Sequence, residues 1–354
     1  MLISVYVPFV VTLLLAWLAP HLTRRLAPRP AAWALASAAL VSAAGGTGSL
    51  ALLALTGIAQ IPSVAAEGHW SVPVLRAEDP VYLTVAVAGG LLLAASLLSF
   101  GVAALRHFRH ALRARRECDR LPGETELAVL DDDAPLAFTL AGAPGRIVVS
   151  RGMLRCLADD ERHALLAHER AHLRSRHHRF QALWHLTAAL NPLLRPLSET
   201  GAFVLERWAD EEAAAQVGDR TVVARAVGRA ALATSGMPRP IGLAATGGAV
   251  PQRVRALLAA PPPTGRSRPL VAGALLLALC CASLINAASD SDELLDSAKR
   301  ARCAAQINAG VAYTCHRVHH VHEQVQPIDS PRHNSPSDRL VSARAGAEAP
   351  AKTG

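Results

Sequence analysis

The chain has 354 residues, a formal net charge of +8 and only 4% aromatic residues. Its mean hydropathy of +0.25 is high for a soluble protein and comes from long apolar runs rather than from an evenly apolar composition. These runs exclude an ordinary soluble globular domain. The basic residues cluster beside them, so we interpret the charge as membrane orientation and expect no direct nucleic-acid binding.

Four apolar runs are long enough to cross a bilayer, which takes about 18–20 residues as a helix. They cover residues 2–19, 31–61, 81–105 and 269–288. The first run has no basic segment before it, which favours an uncleaved anchor over a signal peptide. The sequence therefore predicts a mainly α membrane protein with four transmembrane helices and an α+β cytoplasmic domain, residues 106–268, between the third and fourth.

Charge in the short loops predicts the orientation of these spans. Residues 21–30 carry three arginines and no acid, and residues 106–120 carry six arginines. Residues 62–80 hold Arg76 against three acids. The positive-inside rule then places the N-terminus and the tail, residues 289–354, outside the cell membrane and the large domain in the cytoplasm. The basic segment after residue 105 could also hold anionic membrane lipid.

The tail leaves two questions open. Cys303 and Cys315 could form one disulfide on an external face or remain unpaired thiols. Four histidines close to Cys315 could form an external metal-sensing site or a plain polar tail; they are His316, His319, His320 and His322. We expect the chain beyond about residue 326 to be disordered.

Several elements are predicted inside the cytoplasmic domain. Residues 136–140 and 146–150 read as a hairpin, which either supports the structure or pairs with an extended substrate. The apolar segment 180–197 is too interrupted to span and is expected as a helical hairpin facing the membrane or the spans; the alternative is a buried helix of a soluble domain. Helices are expected over residues 200–217, ended by Gly218, and over residues 221–235.

The most informative stretch is His168-Glu169-Arg170-Ala171-His172, an H-E-x-x-H pattern. A helix places residues four apart one above the other, so both imidazoles can bind a single Zn²⁺. Glu169 lies beside the first ligand, where it can act as the general base toward a water held by the metal. The alternative is a solvated basic helix that happens to carry histidines.

A third protein ligand is needed, and Glu206 is our choice, 34 residues after His172 on a second predicted helix. Asp210, one turn further on, could support a ligating histidine. Spacing does not select Glu206 over other acids, namely Glu199, Glu211 and Glu212. A rival takes His178 as the third ligand, with Met237 as a possible Met-turn. That pattern needs a glycine where Ser175 stands, and residues 174–185 read as continued helix.

Together, these segments resemble the BlaR/MecR-type integral membrane zinc metallopeptidases and, more distantly, the HtpX and CAAX prenyl protease group. The stretches that carry the resemblance are 145–152, 167–172 with 176–178, 206–210 and 253–258. The resemblance implies a gluzincin-like site in which His168, His172 and Glu206 ligate zinc, Glu169 is the catalytic base and Asp210 is a supporting acid.

The resemblance also implies signal transduction by proteolysis, often of a winged-helix transcriptional repressor. Here, however, only about 66 residues follow the fourth span, without the S-x-x-K motif of a penicillin-binding domain, so antibiotic sensing by acylation is not supported. The alternative function is a receptor without catalysis, in which zinc would be structural.

Overall fold

The computed structural model describes residues 4–78, 82–121, 125–142, 144–235, 249–261 and 268–309. The described chain is mostly helical, and all of it belongs to one unit, residues 1–311. Cys315, the tail histidines and Met237 lie outside the described residues, so the predictions that concern them stay predictions.

Four apolar helices form one part of the fold. They are α1 (Val7–Thr23), α2 (Pro28–Ala59), α5 (Leu83–Arg120) and α12 (Arg268–Asn308). By length and composition, α2, α5 and α12 could each cross a membrane. The shorter α1, with 17 residues, would extend only about 26 Å against a hydrocarbon core of about 30 Å. Three apolar helices of membrane-spanning length support association with a membrane, whereas the predicted total of four spans stays a prediction.

Two helices are longer than predicted. The α5 helix continues past residue 105 through the basic segment, and α12 continues past the predicted end of the fourth span at residue 288 to Asn308 without a break. With 38 and 41 residues they extend about 57 and 62 Å, well beyond a hydrocarbon core. Hydropathy predicts where a helix leaves the apolar layer of the membrane. It does not predict where the helix ends, because backbone hydrogen bonding can continue into the polar segment.

Close helix packing explains the glycines within α2. A Cβ atom at Gly45 would lie 2.7 Å from Cys280 Sγ, and one at Gly48 would lie 2.9 Å from Leu284 Cδ2. Small residues allow helix backbones to approach closely where lipid provides no hydrophobic driving force. The glycines therefore set the contact between α2 and α12.

Two short helices, α3 (Pro62–Gly68) and α4 (Val72–Glu78), connect α2 to α5 and pack against the far half of α12. Ala298 and Leu75 are buried in this contact, and Arg302 Nη1 donates to Ala65 O at 2.7 Å. The loop 62–78 and residues 290–302 therefore lie at the same end of the bundle.

A three-stranded sheet follows α5, with strands β1 (Leu127–Leu130), β2 (Ala137–Leu140) and β3 (Arg146–Ser150) in the order β1-β3-β2. The hairpin of β2 and β3 is confirmed, with Phe138 opposite Val148. The parallel pairing of β1 with β3 was not predicted. All of β3 is buried, and Ile147 and Val149 pack with Met153, Leu157 and Leu165.

The remaining helices are α6 (Arg151–Cys156), α7 (Asp159–Arg174), α8 (His177–Leu190), α9 (Arg195–Val217), α10 (Arg220–Thr234) and α11 (Val250–Leu258), with a 3₁₀ turn at Pro192–Leu194. The segment 180–197 forms a helix, a turn and the start of another helix. Phe180, Trp184 and Leu197 bury in the same cluster as residues of α1 and α2. Gly218, with φ of 81°, ends α9 as predicted.

The expectation of continuous helix over residues 174–185 was wrong. The α7 helix ends at Arg174, and Arg176 adopts a left-handed conformation with φ of 52° before α8 begins. The chain thus turns sharply without a glycine.

Candidate metal centre

The first two candidate ligands lie on α7. Three acids in its first turn suit the positive end of the helix dipole, and Glu161 accepts a hydrogen bond from Ala158 N at 3.1 Å. One turn separates His168 from His172, and their Nε2 atoms lie 3.1 Å apart. The two imidazoles thus converge on one point at the buried side of the helix.

The structure brings Glu206 to the same point from α9. Its Oε2 lies 3.6 Å from His168 Nε2, and its Oε1 lies 3.6 Å from His172 Nε2. Two ligands bound at about 2.0–2.1 Å around a tetrahedral zinc are themselves separated by about 3.3 Å. The donor set of two imidazoles and one carboxylate, at 3.1–3.6 Å, therefore fits a zinc ion with one open position.

The other acids considered for the third ligand have different surroundings. Glu199 is exposed. Glu211 pairs with Arg220, and Glu212 contacts the hydroxyl of Ser175 and the indole of Trp208. His178 is also exposed. Among the described residues, the cluster of side chains that could bind a metal ion consists of His168, His172 and Glu206. The geometry thus favours Glu206 over His178.

Asp210 and Arg253 surround the ligands with paired charges. Asp210 Oδ1 lies 3.0 Å from His168 Nδ1, the ring nitrogen away from the converging point. Arg253 Nε and Nη2 donate to the two oxygens of Asp210 at 2.8 and 2.7 Å, and its Nη1 lies 2.8 Å from Glu206 Oε2. One buried guanidinium therefore fixes both carboxylates, an arrangement suited to the planar fork of arginine.

His177 is a further member of the site that sequence reasoning missed as a functional residue. Its Nδ1 lies 2.9 Å from Nδ1 of His172, and its ring lies 4.7 Å from that of Trp208. Burial is the largest cause that lowers the pKa of His177, to about 3, so its ring is neutral. It can accept the Nδ1 proton of His172 and so direct Nε2 of that residue toward a metal. No local sequence signal identified it, because the left-handed turn at Arg176 that brings His177 to the site is not marked by a glycine.

Burial changes the protonation of the central groups. Burial is the main cause that raises the pKa of Glu169 to about 7, which suits a proton acceptor near neutral pH. Burial opposes charge on His168, but contacts with Asp210 and Glu206 outweigh it and raise the pKa to about 10. For Glu206, Arg253 and His168 outweigh the effect of burial and hold the pKa well below its usual range.

One comparison with known proteins gives a match. Residues 111–250 match the family model of Peptidase family M48. The matched region includes α7 and α9 and therefore His168, His172 and Glu206. No curated protein and no solved structure gives a significant match to the chain.

Family M48 peptidases are zinc-dependent, so the match supports a membrane-type zinc metallopeptidase, in agreement with the donor set. The narrower BlaR/MecR-type resemblance is not confirmed. The matched region ends at residue 250 and so excludes Arg253, which reaches the site from α11.

Proposed function

We propose that this protein is a membrane-embedded zinc metalloendopeptidase that hydrolyses peptide bonds of a cytoplasmic or membrane-proximal protein. The observation that carries the proposal is the convergence of His168, His172 and Glu206, three donors at zinc-like separations, beside the buried Glu169. The open fourth position of such a site is what distinguishes hydrolytic zinc from structural zinc.

Each residue near the centre has a task in this mechanism. Zinc, when bound, supplies Lewis-acid polarisation of the scissile carbonyl and lowers the pKa of water to about 7. Glu169 accepts the proton of the attacking water and then passes it to the leaving amine. Asp210 orients His168, His177 orients His172, and Arg253 holds Glu206 in place.

The packing of α9 supports a membrane-proximal site. Its residues Val204, Leu205 and Trp208 bury against α1 and α2, whereas Glu206 and Asp210 on the same helix face α7 and α11. Arg207 Nη1 also lies 3.4 Å from Thr23 O at the end of α1. A displacement of the apolar bundle would therefore act directly on the helix that carries the third ligand.

This connection supports a role in signal transduction, in which an external event reaches the peptidase through the spans. By the positive-inside rule, the peptidase faces the cytoplasm, and the N-terminus and tail face outward. A winged-helix transcriptional repressor is the proposed substrate, by resemblance to the BlaR/MecR-type proteins. Comparison of cytoplasmic protein fragments between wild-type and Glu169→Gln cells tests this substrate class.

The Glu169→Gln substitution also tests the catalytic role. It removes the proton acceptor but leaves the three ligands, so we expect zinc content near wild type, measured by plasma mass spectrometry, and loss of proteolysis by at least about 100-fold. Glu117→Gln, an exposed change on α5, is the matched control and should retain both.

Two results would contradict the proposal. A Glu169→Gln protein that cleaves at the wild-type rate would remove Glu169 from catalysis. A wild-type protein that binds zinc, yet cleaves neither itself nor any cytoplasmic protein, would instead favour the receptor with a structural zinc.

A further inference from the structure

A groove of about 820 Å³ lies between α5, α8 and the first turn of α9. None of its lining residues belongs to the metal centre, and those contributed by α5 recur at regular intervals. From α5 it is lined by positions 95, 98, 99, 102, 103, 106, 107 and 110, which form a single stripe at helical spacing. The opposite wall contains His185 of α8 and Arg195 of α9.

The stripe on α5 changes character at one point. Ala95, Leu98, Val102 and Ala103 form an apolar floor, whereas Arg106, His107 and His110 form a basic mouth. Between Leu83 and Leu105 the helix is uncharged for 23 residues, about 35 Å, which is sufficient for the hydrocarbon core. The mouth therefore lies at the depth of the lipid headgroups when α5 spans the membrane.

The residues that line the mouth carry more positive than negative charge. Within the described residues, neither Arg106 nor Arg195 makes an ion pair, and Glu199 is the single acid among the lining residues. His107, His110 and His185 add three hydrogen-bonding rings around the two guanidinium groups. Two fixed positive charges around one opening complement a phosphate diester.

We propose that this groove is a binding site for one anionic membrane phospholipid. Arg106 and Arg195 contact the headgroup phosphate, and an acyl chain lies along the apolar floor at Leu98 and Val102. The apolar floor binds the acyl chain and the arginines bind the phosphate of the same phospholipid. A free anion lacks the acyl chain, and a neutral lipid lacks the net negative charge. The site does not involve the metal and therefore does not depend on the proposed peptidase activity.

Native mass spectrometry of the full-length protein in a non-ionic detergent tests this site. The protein is titrated with phosphatidylglycerol, phosphatidylcholine and inorganic phosphate in parallel. We expect one retained phosphatidylglycerol that binds at least about 10-fold more tightly than phosphatidylcholine. Each arginine near an anionic lipid surface contributes about 1 kcal/mol, so Arg106→Gln with Arg195→Gln should weaken phosphatidylglycerol binding roughly 30-fold.

Arg115→Gln with Arg116→Gln is the matched control, because it removes the same charge from the same helix outside the groove. It should leave the affinity within about 2-fold. A second variant, Val102→Trp, fills the floor without changing charge and should abolish retention of the lipid. Far-UV circular dichroism and gel filtration establish that each variant keeps its fold and helix content.

Four results would overturn the proposal. These are equal binding of phosphatidylcholine, equal losses in the control and the groove variants, retention of phosphatidylglycerol by Val102→Trp, and displacement of the lipid by millimolar inorganic phosphate. The last result would assign the mouth to a free anion rather than to a lipid.

Discussion

Removal of the Arg253 side-chain charge should destabilise the protein strongly, because two buried carboxylates depend on it. Arg253 is 8% exposed, and its three donor nitrogens lie 2.7–2.8 Å from oxygens of Asp210 and Glu206. In Arg253→Met, an apolar side chain replaces the stem of the arginine but not its guanidinium. The protonated His168 is then left to balance two buried carboxylates. The perturbation is therefore mainly electrostatic rather than a cavity.

Breaking a buried pair by removal of one partner costs about 3–5 kcal/mol. For a domain of this size, 1 kcal/mol changes the melting temperature by about 2–4 °C, so Arg253→Met should lower it by roughly 6–20 °C. Zinc adds two positive charges beside Glu206 and replaces part of the missing attraction. The stabilisation by zinc should consequently be larger in the variant than in the wild type.

The assay is thermal unfolding of the detergent-solubilised protein, followed by circular dichroism with and without zinc. Arg255→Met is the control, because Arg255 is exposed on the same helix and its removal should cost less than about 0.5 kcal/mol. Addition of Asp210→Asn to Arg253→Met removes one uncompensated charge and should recover about 0.5–3 kcal/mol. A melting temperature of Arg253→Met within 2 °C of wild type, or no recovery in the double variant, would refute the electrostatic reasoning.

Three further predictions follow from the site and the bundle. With a pKa of about 10, His168 is protonated at pH 7–8, so zinc must displace its proton. Calorimetry in buffers of different ionisation enthalpy should show at least about one proton released, with any ionisation of zinc-bound water adding to it, and zinc affinity should rise at least about 10-fold per pH unit until the pH approaches 10. His177→Phe removes the contact with His172 Nδ1 and should weaken zinc binding, measured by chelator competition, about 10–100-fold. Gly45→Leu would overlap Cys280, separate α2 from α12 and lower the stability to thermal unfolding by about 1–3 kcal/mol.

Each of these changes has its own control. The exposed neighbour His178→Phe should leave zinc affinity unchanged, and equal losses in both histidine variants would remove the special role of His177. Gly273→Leu places the same side chain on α12 where nothing lies within 4 Å, so it should unfold like the wild type. A zinc affinity that does not change between pH 7 and 9 would contradict the protonated state of His168.

Much of the fold could be predicted from local sequence patterns. The apolar runs, the alternating strands of the hairpin and the acids before the motif each depend on neighbours close in sequence, and helices α7, α9 and α10 follow from them. The β1 strand was missed because its support comes from a parallel partner about 20 residues away, which gives no local signal. The lengths of α5 and α12 were missed because a change from apolar to polar residues was taken for a helix end.

The residues of the candidate site also fall into two groups, those predictable from local spacing and those that depend on tertiary packing. The four-residue spacing on one helix predicts that His168 and His172 converge, whereas the choice of Glu206 among four acids depends on how α9 rotates against α7. Arg253 comes 43 residues after Asp210 on a different helix, so only the tertiary fold unites them. Spacing arguments thus specify pairs within an element, and packing between elements specifies the rest.

The two halves of the metal site are held together by contacts that do not involve the ligands. Ala164 and Ala167 of α7 bury against Ala213 and Ala214 of α9, and Leu257 of α11 joins the same cluster. Because this apolar packing involves no metal ligand, we expect the helices to hold the imidazoles and the carboxylate close together without a metal, in contrast to small zinc domains that fold only on binding. Chelation of zinc should therefore abolish activity while far-UV circular dichroism stays within a few per cent of the zinc-bound protein. Loss of helix on chelation would show instead that the ion organises the fold, and the site would then be structural rather than catalytic.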